Sequence, residues 1–121
     1  MVRVFIADDS LGFGTLAAAW LEQFDDLEVV GTARTAREAL EQVVGAAPDV
    51  VLLDRLLPQP EHSAHVLAHI REHLPETRVL LVSGMPDEDL AAEAQRAGAD
   101  GHVSKAANAE ALADAVRRAA G

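Results

Sequence analysis

Short runs of aliphatic and β-branched residues alternate along the chain with Ala-rich segments whose apolar positions recur at three- and four-residue spacing. The runs predict strands over 3–7 (RVFIA), 27–30 (LEVV), 49–54 (DVVLLD), 78–83 (RVLLVS) and, more weakly, 101–104 (GHVS). The intervening segments predict helices near 12–24, 36–46, 61–73, 87–97 and 109–119. Three of the five strands are almost continuously apolar, as parallel strands covered on both faces must be. Local signals sharpen the helices. Thr35 to Glu38 has capping-box spacing, and Pro86 followed by Asp87, Glu88 and Asp89 suits a helix start. Gly98 suits a stop, Asn108 a cap, and Arg117 with Arg118 a helix C-terminus. Gly12 and Gly14 weaken the start of the first helix.

Five βα units joined by right-handed crossovers predict an α/β fold with an open parallel sheet covered by helices on both faces; the form expected is a flavodoxin-like (βα)5 three-layer sandwich in the order 2-1-3-4-5, one of the two common doubly-wound orders. At 121 residues, the chain reads as one domain, residues 1–121, large enough to bury a core without disulfides or metal. Charge then narrows the function. Ten Lys and Arg against twenty Asp and Glu give a formal −10, which repels a phosphate backbone, and three Phe with one Trp leave little to stack on bases. Direct nucleic-acid binding is therefore not expected. The absence of cysteine rules out disulfides and thiolate metal sites and suits a reducing cytoplasm. MVRVFIADDS meets two acids too early for a signal-peptide core or a membrane span, so a soluble chain is expected.

Ligands of such sheets bind at the carboxyl ends of the strands, so the strand ends are where chemistry is to be sought. Asp8 and Asp9 follow the first strand, Asp54 ends the third, Ser83 ends the fourth and Lys105 follows the fifth. The second strand, ending at Val30 and Gly31, offers no functional side chain. In the order 2-1-3-4-5 the four contributing strands are neighbours. Three carboxylates brought together repel one another, and a hard divalent cation such as Mg²⁺ offsets that repulsion. With a lysine and a hydroxyl beside them they suit a phosphoryl group, toward which a carboxylate can act as nucleophile. Each residue alone has an ordinary reading: Asp8 and Asp9 as helix caps, Asp54 as a loop-initiating acid, Ser83 as a turn residue, Lys105 as a surface charge. The coincidence of all of them favours the site.

The stretches FIADDS, DVVLLDRLLP, RVLLVSG and AGADGHVSK, in this order and spacing, resemble the receiver domain of two-component response regulators over essentially the whole chain. LEVVGTARTAREAL and SKAANAEAL resemble the NarL/FixJ type in particular. The resemblance implies that Asp54 is the phosphoacceptor and that Asp8 and Asp9 hold Mg²⁺, Asp9 directly and Asp8 through water. It implies that the Leu56 backbone carbonyl is a further metal ligand, that Ser83 turns toward phosphate, and that Lys105 is the family's lysine. His102 stands where the family carries a Tyr or Phe switch. The partners implied are a sensor histidine kinase, a DNA-binding output domain absent from these residues and, in a homodimer, a second copy through the fourth helix, fifth strand and fifth helix or through the first and fifth helices. The domain is expected not to be an enzyme beyond its own phosphorylation and dephosphorylation, and to act in transcriptional regulation.

Several features depart from that pattern. His102 is equally readable as an exposed edge-strand histidine. Pro60 and His62 make the loop after Asp54 atypical, which keeps a phosphorylation-independent interaction module as an alternative; a small aspartate-based phosphohydrolase is a more distant one. Leu56 and Met85 flank the expected phosphoryl position and are apolar, which is expected to hinder the attacking water. His62, His65, His69 and His73 form a stripe at helical spacing beside Val66, Leu67, Ile70 and Leu74. Their i, i+4 pairs have the geometry that chelates Zn²⁺ or Ni²⁺, while a solvated helix flank is the simpler reading.

Overall fold

Side chains alternate across a strand, and here both faces of every central strand are apolar, so both must be covered. A computed structural model describes residues 1–55, 57 and 63–121. It contains strands β1 (Val2–Ala7), β2 (Leu27–Ala33), β3 (Val50–Asp54), β4 (Arg78–Ser83) and β5 (Gly101–Ser104), and helices α1 (Leu11–Leu21), α2 (Ala36–Ala46), α3 (Ser63–His73), α4 (Asp87–Ala97) and α5 (Ala109–Ala120). The strands form one parallel sheet in the expected order β2-β1-β3-β4-β5. On one face Phe5, Ala7, Val51, Leu53, Val79 and Leu81 pack against α2, α3 and α4 through Ala39, Val43, Val66, Ile70 and Leu90. On the other, Val4, Ile6, Val50, Leu52, Leu80 and Val82 pack against α1 and α5 through Ala17, Leu21, Leu112 and Val116. Each fully buried Val, Leu or Phe contributes about 1.5–3 kcal/mol, so these two layers dominate the stability.

The helix ends follow their sequence signals. Thr35 Oγ1 accepts the Glu38 N–H at 3.1 Å, while the Glu38 carboxylate reaches back one residue further than the motif, to the Arg34 N–H at 2.8 Å. Asn108 Oδ1 accepts the Ala111 N–H at 2.8 Å, and Gly98 closes α4 at φ +83°. The end of α2 is different. Ala47 takes the left-handed conformation at φ 46°, which costs a Cβ-bearing residue about 1–2 kcal/mol. The helix nevertheless stops at Ala46, where the sequence pattern placed its end.

The larger departures from the expected boundaries lie in α1 and β2, and the other elements agree to within a residue where described. The first helix begins at Leu11 with Gly12 and Gly14 inside it and stops at Leu21. The third helix begins at Ser63, and residues 61 and 62 lie outside the described residues. The second strand does not end at Val30 but runs on to Ala33, because a register shift between Val4 and Phe5 pairs Phe5 with Gly31 and Ala7 with Ala33. Gly31 permits this: a Cβ there would lie 2.8 Å from the Phe5 ring. The extension matters for function, since Asp8 N–H donates to the Ala33 carbonyl at 2.9 Å. A strand with no functional side chain thus still fixes the backbone beneath the first acid.

At the opposite end of the sheet, Asp100 ties three elements together. Its Oδ2 accepts the Val79 N–H at 2.7 Å and Arg71 Nη2 at 2.9 Å, and Arg71 also donates to the Thr77 and Gly98 carbonyls. Burial raises the Asp100 pKa, but the Val79 N–H and Arg71 outweigh it and hold the carboxyl below its ordinary value. A depressed folded-state pKa stabilises the fold above the unfolded value, about 4, and that contribution is lost as pH falls through the folded value. Asp100→Ala is expected to lower unfolding stability by about 1–3 kcal/mol at pH 7. In urea melts the gap from wild type is expected to narrow below about pH 4.

Candidate functional site

Parallel strands that end at one level bring their following residues onto one rim, and the register aligns Ala7 with Leu53, Asp54 with Val82 and Ser83 with Ser104. Asp8, Asp54 and Ser83 are consequently buried at 3%, 6% and 9% exposure, whereas Asp9 faces solvent. One oxygen from each of Asp8, Asp9 and Asp54 lies within 4.8 Å of the others, which is the acid cluster expected from the strand ends.

Lys105 closes the cluster. Its backbone N–H continues the ladder onto the Ser83 carbonyl at 2.9 Å, which aims the side chain back across the strand ends. Nζ then sits 3.0 Å from Asp8 Oδ2 and 3.6 Å from Asp54 Oδ2, and donates to Ser10 Oγ at 2.9 Å. The Phe13 ring lies below it, 5.5 Å from Nζ to the centroid, a distance at which a cation is attracted to the ring face. The surface-lysine reading therefore does not hold: only 21% of this side chain is exposed.

The helix-cap reading of Asp8 also gives way. Ser10 is the N-cap residue of α1, and its side chain makes no cap hydrogen bond there. Asp8 Oδ1 instead accepts the Ser10 N–H at 2.7 Å, which fixes the carboxylate in the site. Its other oxygen, Oδ2, is buried with no well-aligned hydrogen bond. A buried carboxylate oxygen near one ammonium and two more carboxylates has oxygen donors in excess and positive charge in deficit. The donor set fits a hard divalent cation such as Mg²⁺. The Leu56 carbonyl, expected as another ligand, lies outside the described residues, as do Pro58, Pro60 and His62.

Two supporting residues escaped the sequence reading. Ser63 Oγ donates to the Asp54 carbonyl at 2.5 Å and accepts the Leu57 N–H at 3.3 Å, so the start of α3 pins the backbone of the third acid. Ser10 holds both Asp8 and Lys105. Both serines resemble ordinary helix-start residues in sequence, and only the long-range contacts set them apart. Ser83 Oγ accepts the Met85 N–H at 3.1 Å, leaving the hydroxyl proton available to another acceptor. On the edge strand β5, His102 is half-buried and its Nε2 stands 3.2 Å from Asp87 Oδ1 at the start of α4. Just past Asp54, Arg55 forms an ion pair with Glu93 of α4 at 2.9 Å.

Comparison with known proteins agrees with this geometry. Residues 4–117 match the response regulator receiver domain family. The oxygen regulatory protein NreC of Staphylococcus carnosus is 34% identical over 116 residues, 96% of this chain and 54% of that protein. The chain thus spans about half the length of the curated relatives it matches. Among solved structures, the signal receiver domain of the response regulator NarL from Mycobacterium tuberculosis superimposes with a TM-score of 0.87 at 33% identity, covering 98% of this chain and 95% of that one. The BeF3-activated receiver domain of DrrB does so with a TM-score of 0.80 at 29% identity, covering 98% and 96%. Fold, strand-end acids and sequence kinship together make this chain a response regulator receiver domain, related to those of NreC and NarL.

Proposed function

We propose that Asp54 is the phosphoacceptor of this receiver, and that the domain promotes its own phosphorylation from a histidine kinase or from a small donor such as acetyl phosphate. The observation that supports this most directly is the meeting of Asp8, Asp9 and Asp54 within 4.8 Å with Lys105 Nζ against two of them. An Asp54 carboxylate oxygen attacks the donor's phosphorus, the bond to the donor's nitrogen or oxygen breaks with its electron pair leaving on the donor, and an acyl phosphate remains on Asp54. Lys105, already held by Ser10, places its ammonium where phosphoryl oxygens gain charge. Ser83 donates to one of those oxygens the hydroxyl proton that its contact with Met85 N–H leaves available. Asp9 directly, Asp8 through water, Asp54 and the Leu56 carbonyl would hold Mg²⁺, which supplies neutralising charge to the phosphoryl oxygens when bound.

Phosphate at Asp54 then favours an arrangement in which Ser83, His102 and the α4–β5–α5 surface shift together and report to a partner. The output is expected to be a DNA-binding domain, and dimerisation through α4, β5 and α5 or through α1 and α5 is a route by which this surface could act. Among the described residues no helix is long and apolar enough to cross a membrane.

Intact-mass measurement after exposure to acetyl phosphate, with and without Mg²⁺, tests the reading. One Mg²⁺-dependent phosphate on Asp54 is expected. No incorporation, together with amide resonances unmoved by beryllofluoride, would leave a phosphorylation-independent interaction module. Turnover of a generic phosphomonoester would instead indicate a hydrolase.

His102 joins β5 to α4 through Asp87, so it is placed to couple the site to the output surface. His102→Ala is expected to weaken partner binding by the phosphorylated domain about tenfold, within the usual range of a coupling free energy, while phosphate incorporation stays at the wild-type rate. Equal partner binding by the phosphorylated wild type and variant would remove His102 from the switch.

A further inference from the structure

The stripe of histidines on α3 is not used by the phosphoryl site, and the structure gives it a chemistry of its own. Val66, Leu67 and Ile70 are buried in the core, which turns His65 and His73 to solvent and leaves His69 half-exposed on the flank between them. Successive positions four apart on a helix lie one above the other, so His69 and His73 face each other. Their ring centroids are 4.3 Å apart, with the planes tilted by 39°.

The orientation of His73 carries the argument further than spacing alone. Its Nδ1 lies 3.1 Å from the carbonyl oxygen of His69. A carbonyl only accepts, so Nδ1 must bear the proton, and in the neutral ring the lone pair is then on Nε2. An imidazole whose second nitrogen is held by a backbone carbonyl is the arrangement by which proteins fix a histidine for metal ligation. Two imidazoles on one tetrahedral zinc ion place their centroids about 5 Å apart, so a small outward swing of either side chain suffices. Nitrogen donors without a surrounding cage of oxygens select a borderline-soft cation such as Zn²⁺ or Ni²⁺ over Mg²⁺.

We propose that His69 and His73 form a second metal site, independent of the acid cluster, that chelates a borderline-soft divalent cation across the last turn of α3, with water completing the coordination shell. A cation held there adds a cross-link to the helix end that Arg71 already fastens to Thr77, Gly98 and Asp100. Binding to the folded state alone then stabilises the domain by mass action.

The test is a calorimetric titration of the whole chain with ZnCl2 at pH 7.5, in buffer containing saturating Mg²⁺ to occupy the carboxylates, on wild type, His69→Gln, His73→Gln and Asp9→Asn. One Zn²⁺ per chain is expected for wild type and for Asp9→Asn, with affinity at least about tenfold weaker in either histidine variant. Nitrogen-15 shifts of His69 and His73 are expected to move on Zn²⁺ addition, and the thermal midpoint of wild type to rise. Binding kept by both histidine variants and lost in Asp9→Asn would assign the ion to the carboxylates and overturn the proposal. Absence of wild-type binding at millimolar Zn²⁺ would overturn it as well.

Discussion

Asp54→Asn is expected to end phosphate incorporation from acetyl phosphate and, in metal-free buffer, to make the domain more stable. The first effect follows from the role proposed for Asp54 as nucleophile. An amide of the same shape fills the same buried position but offers no anionic oxygen to attack phosphorus, so incorporation should fall below detection by intact mass in the presence of Mg²⁺. The second effect follows from charge. Asp54 is 6% exposed, and its ligand oxygen shares a 4.8 Å cluster with those of two other carboxylates, while Lys105 supplies one positive charge. Removing one of three crowded anions relieves repulsion and desolvation together, which outweighs the lost 3.6 Å attraction to Lys105. A gain of about 1 kcal/mol is expected in chemical denaturation. Mg²⁺ should narrow the difference, since it binds and stabilises the wild type more than the variant. Undiminished incorporation in Asp54→Asn would move the phosphoacceptor elsewhere.

Lys105→Met has the opposite consequence for the fold. The ammonium faces Asp8 Oδ2, which is buried and has no well-aligned hydrogen bond, at 3.0 Å and Asp54 Oδ2 at 3.6 Å. An apolar side chain of similar length preserves the packing on Phe13 but leaves the carboxylates without their cation. Breaking a fully buried pair costs about 3–5 kcal/mol, and the 21% exposure of Lys105 places the expected loss nearer 2–3 kcal/mol in metal-free buffer. Mg²⁺ is expected to recover part of it, because the vacated charge is the kind a divalent cation supplies. Phosphate incorporation should slow as well, since the ammonium is no longer present to meet the phosphoryl oxygens. A variant as stable as wild type in metal-free buffer would mean that Lys105 contributes nothing to balancing the acids.

The two substitutions thus move stability in opposite directions from one cause. The site holds more negative charge than its own residues balance, and the ordinary fold tolerates this because Ser10 fixes the Asp8 carboxylate while the Ala33 carbonyl and Ser63 fix the backbones of Asp8 and Asp54. Replacing Asp54 reduces that imbalance, and replacing Lys105 enlarges it.

Much of this was legible in the sequence where the signal is local. The apolar runs located all five strands, and the expected order β2-β1-β3-β4-β5 is the one found. Thr35 and Asn108 cap helix starts and Gly98 closes a helix, as their chemistry suggests. What was not legible depends on neighbours distant in the chain. The last residues of β2 are strand because Phe5 tolerates Gly31 beside it, which no window around Gly31 reveals. The left-handed conformation of Ala47 was not legible either, since alanine disfavours it, although the end of α2 at Ala46 was.

For this protein the sequence by itself determined the βα alternation and the set of acids, hydroxyl and lysine at its strand ends, because hydrophobic period and the residues that follow each apolar run are read from local pattern. Tertiary structure decided which of them become one site. Lys105 is 95 residues from Ser10 in the chain and 2.9 Å from it in the fold, a contact that helps hold its ammonium 3.0 Å from Asp8, and the charge balance of the site rests on that ion pair. Burial removes the solvent that would otherwise screen Asp8 from its partners, and only three-dimensional packing supplies burial.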